Sequence, residues 1–172
     1  MDIPDWFVEH LKRTGEWVEP KARLRKRGAR ESDSGSRKDV LRAFTVHPGW
    51  AWAICAGVKK QEWRTFLPNP REGVCAVHCS KNISKGEWER EAELVKEWWG
   101  RKLPLREELL ANWCGKVVAV VKYAASEDDW EEDAYGWRLS GVKKLKKRIV
   151  CKGALKLWKM DAVLAKKVLA QL

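Results

Sequence analysis

Apolar positions along the chain fall into short blocks whose spacing switches between two and about four residues, and each switch marks a change of element. Val117 to Ala124 is a near-continuous β-branched run, the pattern of a strand buried on both faces or set in a barrel wall. In VCAVHCS, after Gly73, alternation puts Cys75, Val77 and Cys79 on one face and Ala76 and His78 on the other. Val40 to Val46 reads as an earlier strand. Between 84 and 99 the period lengthens: Trp88, Ala92, Val95 and Trp99 form one helical stripe, and Ser84 with Glu87 makes a capping box at its start. A second helix begins near Pro104 and runs to Gly115. Tyr135 to Leu145 and Ile149 to Met160 predict the last strands, broken by KKLKKR, and Asp161 caps a final amphipathic helix through Leu172. At the other end, Ile3, Phe7 and Leu11 repeat every four residues with Trp6 alongside, which predicts a short helix over 1–14. Alone it is marginal, so it docks on the main domain or folds on a partner.

The stretch from His47 to Arg64 combines several signals. Pro48 and Gly49 break the preceding run, Trp50 to Ala56 forms a short apolar helix, and Gly57 stands where a helix ends in a left-handed residue. Gln61 to Phe66 then reads as a strand with Glu62 and Arg64 on one face and Trp63 and Thr65 on the other. Opposite charges on one strand face, with Lys59 just before them, call for a structural or a chemical reason.

Residues 20–39 have almost no large apolar side chains and are rich in Arg, Lys, Ser and Gly, so ordering them would bury too little to offset the entropy lost. They divide the chain into an N-terminal helix and extension (1–19), a basic linker or arm (20–39) and one domain (40–172) with a helical insertion at about 84–114. The linker is a solvated spacer, a nucleic-acid-binding arm or a nuclear-import signal. No internal repeat is visible. The chain of 172 residues carries a net charge of +11 with pI near 9.6, which argues for an anionic partner. That charge is segregated: positive in 21–38 and 138–167, negative in EDDWEED at 127–133, which is a solvated loop, a gate or a nucleic-acid mimic. Twelve tryptophans can fill a core or stack on flat ligands, and Trp88, Trp99 and Trp113 are expected to be structural. Five cysteines without paired spacing imply a reducing compartment and no disulfide framework. No apolar run approaches the roughly 20 residues of a membrane span. The chain therefore reads as an intracellular, cytoplasmic monomer, nuclear if eukaryotic, with no membrane association.

PGWAWAICAGVKKQEWRTF at 48–66 resembles the opening of the ASCH domain, whose signature runs as a proline and tryptophan, an apolar helical turn, then GxKxxExR. Gly57, Lys59, Glu62 and Arg64 match its four positions. GVCAVHCSK at 73–81, GKVVAVVKYA at 115–124, YGWRL at 135–139 and KGALKLW at 152–158 continue the resemblance in order, over roughly 44–160. It implies an α+β, PUA-like fold: a small mixed, mostly antiparallel β-barrel with helices covering its mouth, plus terminal helices. It also implies a cleft between the first helix and the barrel lined by Lys59, Glu62 and Arg64, with Trp50 near the entrance; Tyr135 and Trp137, which by alternation share a strand face, are further candidates for a stacking wall.

A Lys, a Glu and an Arg in a partly desolvated cleft offer several donors and one acceptor, which suits a base edge beside a phosphate. A purely structural salt-bridge cluster is the alternative. Some ASCH proteins are similar to amidohydrolases of acetylated cytidine with a threonine nucleophile three residues after the signature lysine; here Glu62 holds that place, and Lys122 stands where related sequences show an acid. Thr65 falls on the wrong strand face to replace the nucleophile. Others are similar to ribonucleases, for which Lys59 and Glu62 are the catalytic candidates and His47 the nearest acid, although a histidine before proline is more often a capping group. No Walker motif, dinucleotide glycines, nucleophile elbow or zinc spacing is present, so neither cofactor nor metal is expected. The resulting expectation is a module that binds RNA, another single-stranded nucleic acid or a nucleotide-like ligand. The backbone would be gripped by Arg23, Arg25, Lys26 and Arg27 of the arm and by Lys146, Lys147 and Arg148. A nucleoside amidohydrolase or ribonuclease, and a protein-interaction module of the transcription or translation machinery, are the alternatives.

Overall fold

The computed structural model describes residues 41–131 and 133–172. The expected helix at 1–14 and the basic segment 20–39, with Arg23, Arg25, Lys26 and Arg27, lie outside the described residues.

Seven strands form one mixed sheet: β1 (Arg42–Val46), β2 (Gln61–Arg64), β3 (Glu72–Cys79), β4 (Lys116–Ala124), β5 (Trp130–Glu131), β6 (Ala134–Val150) and β7 (Leu157–Lys159). Their order is β2-β6-β4-β3-β1-β7, with β5 attached to β6. β1 and β3 pair in parallel and the other pairs are antiparallel. A parallel pair needs a crossover, and the β1-to-β3 connection carries helix α1 (Pro48–Cys55) and β2. The fold is thus α+β, with a six-stranded path curled into a half-barrel whose end strands, β2 and β7, share no ladder among the described residues.

Each face of the sheet has its own core. On one, α1, α2 (Lys85–Trp99) and α3 (Arg106–Asn112) bring Ile54, Val95 and Leu109 against Phe44, Val77, Val121 and Trp137. Each fully buried aliphatic side chain there contributes roughly 1.5–3 kcal/mol. On the other face, α4 (Ala162–Leu169) buries Val168 against Ala43, Ala76, Val120 and Leu145. The alternation in β3 divides as the sequence predicts, with Cys75, Val77 and Cys79 in the first core and Ala76 in the second.

Local signals explain the ends of the helices. Ser84 Oγ accepts from Glu87 N and Glu87 Oε2 accepts from Ser84 N, closing the predicted capping box on α2. After α1, Gly57 adopts φ +75°, with Gly57 N donating to Ile54 O and Val58 N to Ala53 O, the paired bonds of a Schellman motif. Asp161 caps α4 by accepting from Leu164 N.

Two expectations need correction. KKLKKR does not end a strand, because β6 runs unbroken for 17 residues. What breaks there is its pairing: Val117 faces Ile149 and Ala119 already faces Lys144, so residues 145–148 bulge from the ladder while Leu145 stays anchored in the second core. Conversely, 149–160 is not one strand: Ile149 and Val150 end β6 paired with β4, Leu157–Lys159 pairs with β1, and residues 151–156 between them form an irregular segment. Within the acidic stretch, Glu127–Asp129 forms a 3₁₀ turn capped by Ser126 and leads into β5.

Candidate functional site

Lys59, Glu62 and Arg64 meet in one cluster. Strand alternation turns Glu62 and Arg64 to the same buried side of β2, and the turn after Gly57 brings Lys59 back over them. Glu62 Oε1 lies 3.0 Å from Arg64 Nη2, and its Oε2 lies 3.2 Å from Lys59 Nζ. The side chains are 12 %, 8 % and 8 % exposed for Lys59, Glu62 and Arg64. Backbone carbonyls complete the coordination: Lys59 Nζ donates to Gln61 O at 2.6 Å and Arg64 Nη2 to Thr45 O at 2.6 Å. Lys59 also sits 5.5 Å from the Trp50 ring, and the Arg64 guanidinium 5.7 Å from that of Phe44. Through its bond to Thr45, Arg64 ties β2 to β1, two strands that share no ladder.

From that cluster only Arg64 reaches the wall of a groove of about 780 Å³, shared with Thr45, His78, Lys81, Cys114 and the segment 150–156. Among the described residues the groove's cations are Arg64, Lys81, Lys152 and Lys156, and no Asp or Glu lines it. Val150 and Leu155, 74 % and 72 % exposed, add apolar surface at the same place. Beyond it the positive charge continues: residues 138–172 hold eleven Lys and Arg against one acid, Asp161.

The segment 150–156 is held by a partly buried polar network. His78 Nε2 is 3.3 Å from Cys151 O and its Nδ1 is 3.1 Å from Thr45 Oγ1. Thr45 Oγ1 donates to Ala154 O at 3.1 Å and accepts from Trp158 Nε1 at 3.3 Å. Burial lowers the His78 pKa, which favours the neutral ring and is partly opposed by the hydrogen bond to the Cys151 carbonyl. A Cβ at position 153 would overlap the His78 ring and crowd Thr45 Oγ1, which is why a glycine stands there.

The other sequence-predicted residues occupy varied places. Trp50 is buried beside Lys59 and stacks at 6.1 Å on Trp98. Tyr135 and Trp137 both turn toward the first core. Trp137 is fully buried with its indole donating to Phe66 O at 3.2 Å, and Tyr135 packs at 4.5 Å on Trp130. Lys146, Lys147 and Arg148 are exposed on the β6 bulge; the Arg148 guanidinium lies 4.1 Å from the Trp113 ring. His47 is drawn into the protein rather than toward Glu62, its Nδ1 lying 3.0 Å from Glu91 Oε1.

Sequence reasoning missed Glu91, which is 4 % exposed on the inward side of α2 and also accepts from Gly49 N at 2.8 Å. Desolvation raises its pKa, opposed by His47 and by the Gly49 amide. The groove is hidden from sequence reasoning as well, because the apolar pattern predicts a strand across its wall at 151–156. A glycine between two lysines in that segment was the available signal of irregular backbone. Among the described residues no grouping of side chains suits a metal ion, and no helix is long and apolar enough to cross a membrane. No protein-family model matches the chain, and no curated protein is significantly similar to it.

Proposed function

We propose that this protein is a binding module of the ASCH type for single-stranded nucleic acid, RNA in particular, and that the strand lies in the groove beside Arg64. The observation that carries the reading is a groove bearing four cations and no carboxylate among the described residues, continuous in sequence with the basic stretch of β6. Phosphates entering it exchange their counterions for Lys81, Lys152 and Lys156, while the apolar surface of Val150 and Leu155 suits a nucleobase. Glu62 has a supporting part. It fixes the Arg64 guanidinium together with Thr45 O, so that the arginine is oriented before any ligand arrives. The signature residues Lys59, Glu62 and Arg64 thus serve binding through Arg64, with Lys59 and Glu62 behind it as positioning residues.

Ultraviolet crosslinking of the full-length protein to a short single-stranded RNA, followed by peptide mapping, tests this reading. Crosslinks are expected at 150–156 and near Lys81, and unlabelled RNA should compete them away. Crosslinks confined to residues that do not line the groove, such as Trp130 on β5, would refute the groove as the binding surface.

A further inference from the structure

The wall of the groove carries chemistry that anion binding does not use. Cys114 lines it, and the buried Cys79 lies behind, close enough for the two thiols to shift each other's ionisation. Topology produces this meeting. Cys79 ends β3, Cys114 ends the turn after α3, and Gly115 N donates to Cys79 O at 3.1 Å, which locks the two backbones side by side. Cys79 is fully buried and Cys114 partly exposed, and all five cysteines are reduced.

We propose that Cys79 and Cys114 form a redox-active dithiol that exchanges with small-molecule disulfides reaching it through the groove, Cys114 as the attacking thiol and Cys79 as the resolving one. The neighbouring Cys79 thiol stabilises the Cys114 thiolate and, with Lys116 and Arg106 nearby, outweighs the burial that opposes ionisation, so the Cys114 pKa is lowered. The same pairing and burial push Cys79 up, which keeps it a thiol until its partner has reacted. Cys151, the other cysteine in the groove wall, is pushed up by burial, and Cys55 is pushed up to about 11.

The exchange balances in two steps. Cys114 Sγ attacks one sulfur of R–S–S–R, the S–S bond breaks, and one RS⁻ leaves to take a proton from water. Cys79 then loses its proton and attacks Cys114 Sγ, expelling the second RS⁻. The protein dithiol is oxidised to a disulfide and R–S–S–R is reduced to two RSH. The new bond would pin the end of β3 to the turn before β4 at the groove wall.

Incubating the reduced full-length protein with oxidised glutathione, then quenching with acid and mapping peptides without reduction, tests the inference. Wild type should yield a Cys79–Cys114 linked peptide. Cys79→Ser and Cys79→Ala should stop at glutathione on Cys114, Cys114→Ser should yield neither product, and Cys151→Ser should behave as wild type. A wild-type mixed disulfide that persists without the linked peptide would overturn the assignment, as would Cys114→Ser reacting at the wild-type rate. A variant-free check guards against misfolding: limited iodoacetamide should modify Cys114 about tenfold faster than Cys151 at neutral pH, and equal rates would overturn the proposal.

Discussion

Lysine and arginine do different work in two neighbouring regions of this molecule. In the cluster on β2, Lys59 and Arg64 are nearly sealed, share one carboxylate and spend further donors on the carbonyls of Gln61 and Thr45. In the segment 150–156, Lys152 and Lys156 stand in water around a groove with no acid among the described residues of its walls. Desolvated cations need internal partners or the fold fails, whereas solvated ones cost the fold little and stay available to an external anion. In the proposed function the first region supplies stability and the second binding, and Arg64, which touches both, couples them.

The comparison is broken most severely by removing the shared carboxylate. Glu62→Ala removes the carboxylate that the nearly sealed Lys59 and Arg64 share and should cost about 3–5 kcal/mol, read as a lowered midpoint in urea unfolding. A loss below about 1 kcal/mol, the range of an exposed ion pair, would mean the cluster is solvated and not structural.

A smaller effect is expected at the groove wall. Gly153→Ala drives a methyl group into the His78 ring and should cost about 1–3 kcal/mol, with weaker RNA binding because the segment must shift to relieve the overlap. Unchanged melting and unchanged affinity would show that the wall is not held by the His78 and Thr45 network.

The smallest effect concerns the buried carboxyl of Glu91, outside the cluster on β2. Glu91 holds its proton more tightly in the folded protein than the ordinary value of 4.5, so its contribution to stability is present at acid pH and is lost as pH rises through the folded value. Glu91→Gln removes that dependence. The melting temperature of wild type minus that of the variant should therefore fall as pH rises above the ordinary value of 4.5. A difference that grew with pH would reverse the assignment.

The parts of this fold visible in the sequence are those fixed by local rules. The capping box at Ser84, the left-handed Gly57 and the shared face of Glu62 and Arg64 each follow from a few adjacent residues. What stayed hidden depends on distant partners. The continuity of β6 through KKLKKR comes from β4 and from Leu145 reaching the second core, and nothing in a run of lysines signals a ladder that skips residues. Glu91 is buried because His47 and Gly49 N, over forty positions earlier, both need its carboxylate. The groove exists because Gly153 lets its backbone lie against His78, a contact across 75 positions that no spacing within either segment reveals.

The division of labour between the two regions is tested most directly by the salt dependence of single-stranded RNA binding. For wild type and Lys152→Ala/Lys156→Ala, the slope of log affinity against log salt should differ by about 1.4, since each phosphate contact on a single strand contributes about 0.7. The double variant should unfold within about 0.5 kcal/mol of wild type, as exposed substitutions do. A slope unchanged by losing both lysines, in a protein that still binds RNA, would contradict the account and move the binding surface away from the groove.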